Sequence, residues 1–362
     1  MRLPWGPATA VLASLAVHGR VLGADFIDDD FLYFYELKKL GTLPSILHPF
    51  GQHFMASFKL IVAVLQGAFG MHPRGYFALV LLTHLVNVLL VYGVVRALGR
   101  STTMATAAAF LWGSAPAFQS TLAWFSAYSH MLSTTTTLLA LWVLGRTVEK
   151  RRPPTAGTLV WLNLILLVGS STMLTGSIAA ILFPIVALLL LPRESAPVRS
   201  ALALLPATLT TIAILAYCSS RGGPTWISPI NVLAVFPQLV AYGLGMVFAG
   251  PLVTVHNIEG AMGIFARGSF ATAVTISAVP ALALLGVVAR RIRRGDERER
   301  RALLAMLMLA GGLYAGIAIG RSALIPEHQT AWMATRDRYH YDANPALVIA
   351  VAVALVPWNC GS

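Results

Sequence analysis

Charge is scarce in this 362-residue sequence. Only 11% of its residues are Asp, Glu, Lys or Arg, against about 25% in a soluble domain, which excludes an ordinary water-soluble fold. Carboxylates are rarer than cations, 14 against 26. The two cysteines, Cys218 and Cys360, lie far apart, which argues against a disulfide framework. No Cys/His spacing suggests a zinc site. No internal repeat is apparent, so an inverted-repeat transporter lacks its usual signature. The apolar runs do not alternate with polar residues, which excludes a transmembrane barrel.

Hydrocarbon-soluble sequence is what remains. The chain is 57% hydrophobic with a mean hydropathy of +0.73. Apolar segments fall at about 4–22, 54–70, 76–97, 102–118, 122–145, 155–170, 173–192, 200–217, 231–253, 268–290, 301–320 and 343–357. Runs of this length satisfy their backbone in lipid as helices. The net charge of +12 does not signal nucleic-acid binding. Much of it sits in one run between two apolar segments, from Arg290 to Arg301, the pattern of a cytoplasmic loop. His18 and Arg20 interrupt the end of the N-terminal apolar stretch, and no A-x-A pattern precedes Asp25. That stretch therefore reads as a retained first span rather than a cleaved signal peptide.

Positive charge sets the expected topology. Arg96 and Arg100, then Arg146 with Lys150–Arg152, then Arg193 and Arg199, and finally the Arg290–Arg301 run each follow an apolar segment. With all four groups in the cytoplasm, residues 54–70 cannot span and become a helix lying in the interface. The same parity makes 231–253 non-spanning or re-entrant, which suits its Pro237, Gly243, Gly245, Gly250 and Pro251. The expected fold is a single all-α polytopic membrane domain over 1–362, with about ten transmembrane helices and both termini cytoplasmic. Its outer loops are 24–75, 218–267 and 321–342. Sixteen of the basic residues then lie inside with five acids, and the outer side is nearly neutral. The Ala-, Leu- and Arg-rich composition points to a bacterial inner membrane.

The most informative segment is the first outer loop, where Asp28-Asp29-Asp30 is followed at once by Phe31-Leu32-Tyr33-Phe34-Tyr35. The aromatic run holds the acids at the membrane–water boundary. A carboxylate there can act as a general base on an attacking hydroxyl, worth roughly 10²–10⁴ in rate. Three adjacent acids repel one another and call for water, a basic side chain or a divalent cation, Mg or Mn, at Asp29 and Asp30. A solvated acidic loop is the plainer alternative.

Phe26-Ile27-Asp28-Asp29-Asp30-Phe31 resembles the F-V-x-D-D-[FH] signature of type C glycosyltransferases, polytopic enzymes that use polyprenyl-phosphate sugars. They include protein O-mannosyltransferases and aminoarabinose transferases. Pro49-Phe50-Gly51-Gln52-His53 is similar to the P-x-G-x-H segment of bacterial members, and Phe69-Gly70-Met71-His72-Pro73-Arg74-Gly75-Tyr76-Phe77 to their entry into the second span. Leu82-Thr83-His84-Leu85-Val86-Asn87 matches L-x-H-x-x-N, and Arg338-Tyr339-His340-Tyr341 is similar to a late R-Y-x-Y element. Two family features are replaced: Ser170-Ser171-Thr172 stands in place of a Lys-Glu pair, and Ala115-Pro116 in place of His-Pro.

The resemblance implies an inverting transfer of sugar from a polyprenyl-phosphate carrier at the outer face. Asp29 would be the base and Asp30 its helper, through a metal or an acceptor contact. Arg336, Arg338 and Tyr339 would receive the lipid phosphate, and His53 the acceptor or phosphate. His84 and Asn87, at i and i+3, read as an interhelical hydrogen-bonding pair. Trp124, Tyr128 and His130 line a sugar pocket or form part of the aromatic belt. The alternatives are a transporter or flippase of lipid-linked sugars, which needs polar residues through the bilayer, and a catalytically inactive membrane scaffold.

Overall fold

The structure, a computed structural model, describes residues 5–51, 53–99, 101–221, 227–248, 268–321 and 329–355. The described residues form α-helices joined by short 3₁₀ turns. Their sole bridge of β type joins Phe50 and His53. In chain order the helices are α1 (Trp5–His18), α2 (Asp30–Leu40), α3 (Thr42–Leu47), α4 (Ala56–Phe69), α5 (Pro73–Gly99) and α6 (Thr102–Gly113). There follow α7 (Gln119–Leu122), α8 (Tyr128–Lys150), α9 (Ala156–Ser170), α10 (Leu174–Leu190), α11 (Pro197–Leu202) and α12 (Leu205–Arg221). The last are α13 (Pro229–Phe248), α14 (Gly268–Arg294), α15 (Glu297–Arg321), α16 (Thr330–Ala334) and α17 (Arg338–Leu355).

Local chemistry explains several boundaries. Ser101 accepts from the Met104 N–H at 3.2 Å and Thr155 from the Thr158 N–H at 3.2 Å, capping α6 and α9. Small residues let apolar helices approach closely. A side chain at Gly316 of α15 would run into Ile178 of α10, and one at Gly312 into Leu182. α5 packs on α6 and α8, α10 on α9 and α15, and α15 on α17.

Five segments are long and apolar enough to cross a bilayer: α5, Pro197–Arg221 (α11 with α12), α13, Val274–Arg294 of α14, and α15. At 15 and 17 residues, α9 and α10 are apolar but shorter, about 23–26 Å at 1.5 Å per residue against a core of about 30 Å. α4 is shorter still at 14 residues. The region 231–253 differs from expectation. It gives one continuous helix to Phe248, with Pro237 inside it, and no hairpin forms within its described part. Its path leads into the bundle: Gln238 donates to Thr330 at 3.3 Å, and further along the Gly243 carbonyl accepts from Asn344.

The bundle has two chemically distinct ends. One gathers the acidic loop, the 116–127 turns and the starts of α10 and α17. Ser57 bonds Ser171 there at 2.5 Å, and Ser120 donates to Asp337 at 2.6 Å. The other gathers the ends of α8 and α10 with the start of α15, where Arg301 donates to the Leu189 carbonyl at 2.9 Å. Between them runs a buried polar seam. His84 meets the Tyr341 hydroxyl at 2.6 Å and the Gly113 carbonyl at 2.9 Å, and Asn87 donates to the Met131 carbonyl at 3.2 Å. The interhelical role expected for His84 and Asn87 is what the structure shows.

Candidate functional site at the acidic end

The acidic loop is built around Asp30, at the start of α2. Asp28 adopts a left-handed conformation (φ 46°), which Asp tolerates better than most residues. Just beyond it, Asp30 Oδ2 accepts the Ile27 N–H at 3.0 Å. Its Oδ1 accepts both the N–H and the hydroxyl of Ser126, each at 2.6 Å. The residue is wholly buried, and that burial pushes its carboxyl above the usual range while the Ser126 and Ile27 donors oppose the shift. The ring of Phe26 packs edge-on against Phe34 and Tyr76, both at 4.9 Å, and fixes the loop to α5.

Asp29 is different. It is half-buried and its side chain makes no cap hydrogen bond to α2. Burial, with the charge of Asp29 next in importance, pushes up the neighbouring Tyr33 phenol. Tyr33 lies 4.7 Å from the Phe50 ring. Phe50 and His53 close a tight turn by exchanging N–H···O bonds of 2.9 and 3.0 Å, with Gly51 supplying a φ of 57°.

His53 faces a cavity of about 30 Å³ together with His130, Thr175, Gly320, Arg321 and Tyr339, room for about one water. Its Nδ1 is buried without a hydrogen-bond partner. Burial holds its pKa down to about 4, with the Arg321 and His130 charges adding to the effect. His130 Nδ1 lies 2.5 Å from Asp342 Oδ2, and Asp342 Oδ1 accepts from Thr134 at 3.1 Å. A carboxylate on Nδ1 holds a proton on that nitrogen and orients the ring.

Two guanidinium groups bracket Tyr339. Arg321 lies 5.4 Å from its ring and Arg338 lies 4.9 Å from it, while Arg338 also covers Trp124 at 4.6 Å. Neither arginine has a carboxylate partner among the described residues. Such a pair suits a phosphate or another oxyanion, which accepts the planar guanidinium donors.

The short stretch Trp124–His130 ties these parts together. Trp124 carries Arg338, Ser126 holds Asp30, and His130 lines the cavity. The structure therefore brings His53, Arg338 and Tyr339 into one neighbourhood, and Asp29, next to the anchored Asp30, is only half-buried. Arg336 stacks on Trp332 at 3.9 Å, and neither it nor Arg338 lines the small cavity. Asp30 accepts N–H and O–H donors on both oxygens and so anchors the loop.

No group of three His, Cys, Asp or Glu side chains suited to a metal occurs among the described residues. Sequence reasoning missed Arg321 and the His130–Asp342 pair. The latter joins the starts of α8 and α17, 212 positions apart, and no local spacing announces it. At the end of α12, Arg221 stacks on Tyr217 at 5.0 Å. Trp226, His256, Glu259 and Arg267 lie outside the described residues, as do Glu327 and His328.

The architecture is helical, with several helices long and apolar enough to cross a bilayer, consistent with an integral membrane protein. Comparison with protein-family models, with curated proteins and with solved structures finds no match to this chain.

Proposed function

We propose that this chain is an inverting glycosyltransferase that moves a sugar from a polyprenyl-phosphate carrier to an acceptor at the outer membrane face. The observation that carries the reading is the pair Arg321 and Arg338 around Tyr339, joined through Trp124–His130 to the loop that presents Asp29. In this reading Asp29 takes the proton of the acceptor hydroxyl, the acceptor oxygen bonds to the anomeric carbon, and the lipid phosphate departs with the bonding pair. Arg321 and Arg338 then stabilise the phosphate charge as it develops. His53, neutral above about pH 4, donates to or accepts from a bound oxygen without adding charge.

The reading includes a topology of about ten spans in a bacterial inner membrane, with the acidic end outward and both termini cytoplasmic. Gathering the Arg-rich segments at the opposite end of the bundle supports that orientation. The motif resemblance in residues 18–150 supports the reaction class.

Asp29→Asn is the deciding variant. Asp29 makes no cap hydrogen bond, so thermal unfolding should be unchanged. Transfer from a radiolabelled polyprenyl-phosphate sugar should fall by about 10²–10⁴. Full transfer by a folded Asp29→Asn variant would remove Asp29 as the base. Vesicle translocation of the lipid-linked sugar without chemical change would favour the flippase alternative. Absence of binding to a lipid-phosphate sugar analogue by the unaltered protein would favour the scaffold.

A further inference from the structure

The opposite end of the bundle holds a second, larger cavity that the proposed reaction does not use. Its volume is about 670 Å³, and it lies where α8 and α10 end and α15 begins. Four arginines line it, Arg151, Arg193, Arg298 and Arg301, against two carboxylates, Glu194 and Glu297. Two of the arginines have structural work. Arg301 donates to the carbonyls of Leu188, Leu189 and Leu191 at 2.6–2.9 Å, satisfying the end of α10. Arg298 donates to the Val148 carbonyl at 3.5 Å, at the end of α8. Glu297 is held in turn by Arg300. Arg151 and Arg193 are at least partly exposed and have no ion-pair partner among the described residues.

The remaining wall is apolar, from Val148, Leu190 and Pro192. An apolar track continues away from the cavity along the α10–α15 contact. Ile185 and Leu188 of α10 and Leu304 of α15 are all exposed. Leu304 lies one turn beyond Arg301 on the same helix face, and Arg301 itself holds the Leu188 carbonyl. Cationic groups at a helix end above an exposed apolar track match an amphiphile with a negative head and hydrocarbon tails.

We propose that this cavity binds the headgroup of an anionic phospholipid, with Arg151 and Arg193 on the phosphate and the acyl chains along Ile185, Leu188 and Leu304. The site is independent of the transfer reaction, so either reading can fail without the other. Its occupant ties the ends of α8 and α10 to the start of α15. A free phosphate shares the head chemistry but gains nothing from the apolar track.

The test is native mass spectrometry of the full chain in detergent, titrated with dioleoylphosphatidylglycerol, dioleoylphosphatidylcholine or inorganic phosphate. The unaltered protein should retain phosphatidylglycerol in preference to phosphatidylcholine. Arg151→Gln with Arg193→Gln should weaken that retention by about thirtyfold, the effect of two basic groups near an anionic headgroup. Arg290→Gln with Arg294→Gln, two exposed residues of the same basic region that do not line the cavity, should change it less than about threefold. Arg151→Lys with Arg193→Lys, which keeps the charge, should retain most of the binding and shows that the loss is not misfolding. Equal retention of the two lipids overturns the proposal. So does an equal loss from both Gln pairs, which would mean a diffuse field, or displacement of the lipid by inorganic phosphate at matching concentration.

Discussion

The two ends of the bundle use charge in opposite ways. At the acidic end several ionisable groups are buried and paired. Asp30 holds Ser126, Asp342 holds His130, and Glu36 receives Lys59 at 2.7 Å and His48 at 2.8 Å. At the basic end most cations are exposed, and those that bond do so to helix-terminal carbonyls or to neighbours three residues away. Glu299 is the exception there, buried and held by Arg291. Burial makes a charge expensive unless its partner is fixed. The acidic end is therefore held by fixed partners across the bundle, whereas at the basic end Arg151 and Arg193 remain exposed.

The largest break in this contrast should come from Lys59. It is buried in the short apolar helix α4, and its ammonium also donates to the Ser45 and His48 carbonyls at 3.2 and 2.7 Å. Lys59→Met leaves Glu36 with His48 alone and frees both carbonyls. We expect a loss of about 3–5 kcal/mol, read as a fall in the thermal midpoint in detergent. Adding Glu36→Gln should recover part of it, since the uncompensated charge is then gone. Full stability in Lys59→Met would show that the first loop does not depend on this pair.

A smaller effect follows from His53. Its folded pKa of about 4 lies below the unfolded value of about 6.5. Between those values the unfolded chain binds more protons, so stability is complete above about pH 6.5 and is lost as pH falls towards 4. Part of the ring is solvent-accessible at the cavity, which reduces the effect to about 2 kcal/mol. His53→Asn should flatten the unfolding profile between about pH 4.5 and 7 relative to the unaltered chain. A parallel slope in both proteins would assign the pH dependence to another group.

Much of this contrast is legible in the sequence, because it lies in composition. The spacing of Arg96, Arg146, Arg193 and Arg290 with apolar segments separates the two ends without any coordinates. His84 and Asn87 declare a shared helix face by their spacing. The contacts that make the acidic end a site are not legible this way. Three adjacent carboxylates look equivalent in sequence, yet Asp30 is consumed by Ser126, 96 positions away, and Asp29 stays partly open. Arg336 and Arg338 are two residues apart, but one stacks on Trp332 and the other on Trp124. The α13 region misled for a physical reason. Proline and glycines suggest a broken path, but Pro237 lies within a continuous helix, since neighbouring helices re-satisfy freed backbone groups in membranes.

The smallest effect marks the other side of the comparison. Arg146 and Glu149 form a 2.8 Å pair three residues apart near the end of α8, with half of the arginine side chain exposed. Their Coulomb attraction is weakened by solvent and offset by the entropy of holding two long side chains. Arg146→Gln should shift stability by less than about 0.5 kcal/mol, with the same thermal midpoint in low and high salt. What it should change is orientation, and only slightly, because Lys150, Arg151 and Arg152 remain within reach of the same boundary. Protease accessibility of a tag at the C-terminus of inverted membrane vesicles measures this directly. At most a small shift in topology with one arginine removed, and mixed topology when all four basic residues become Gln, is the result expected if their summed charge sets the orientation. A large stability loss from Arg146→Gln alone would show that the basic end has an order of its own.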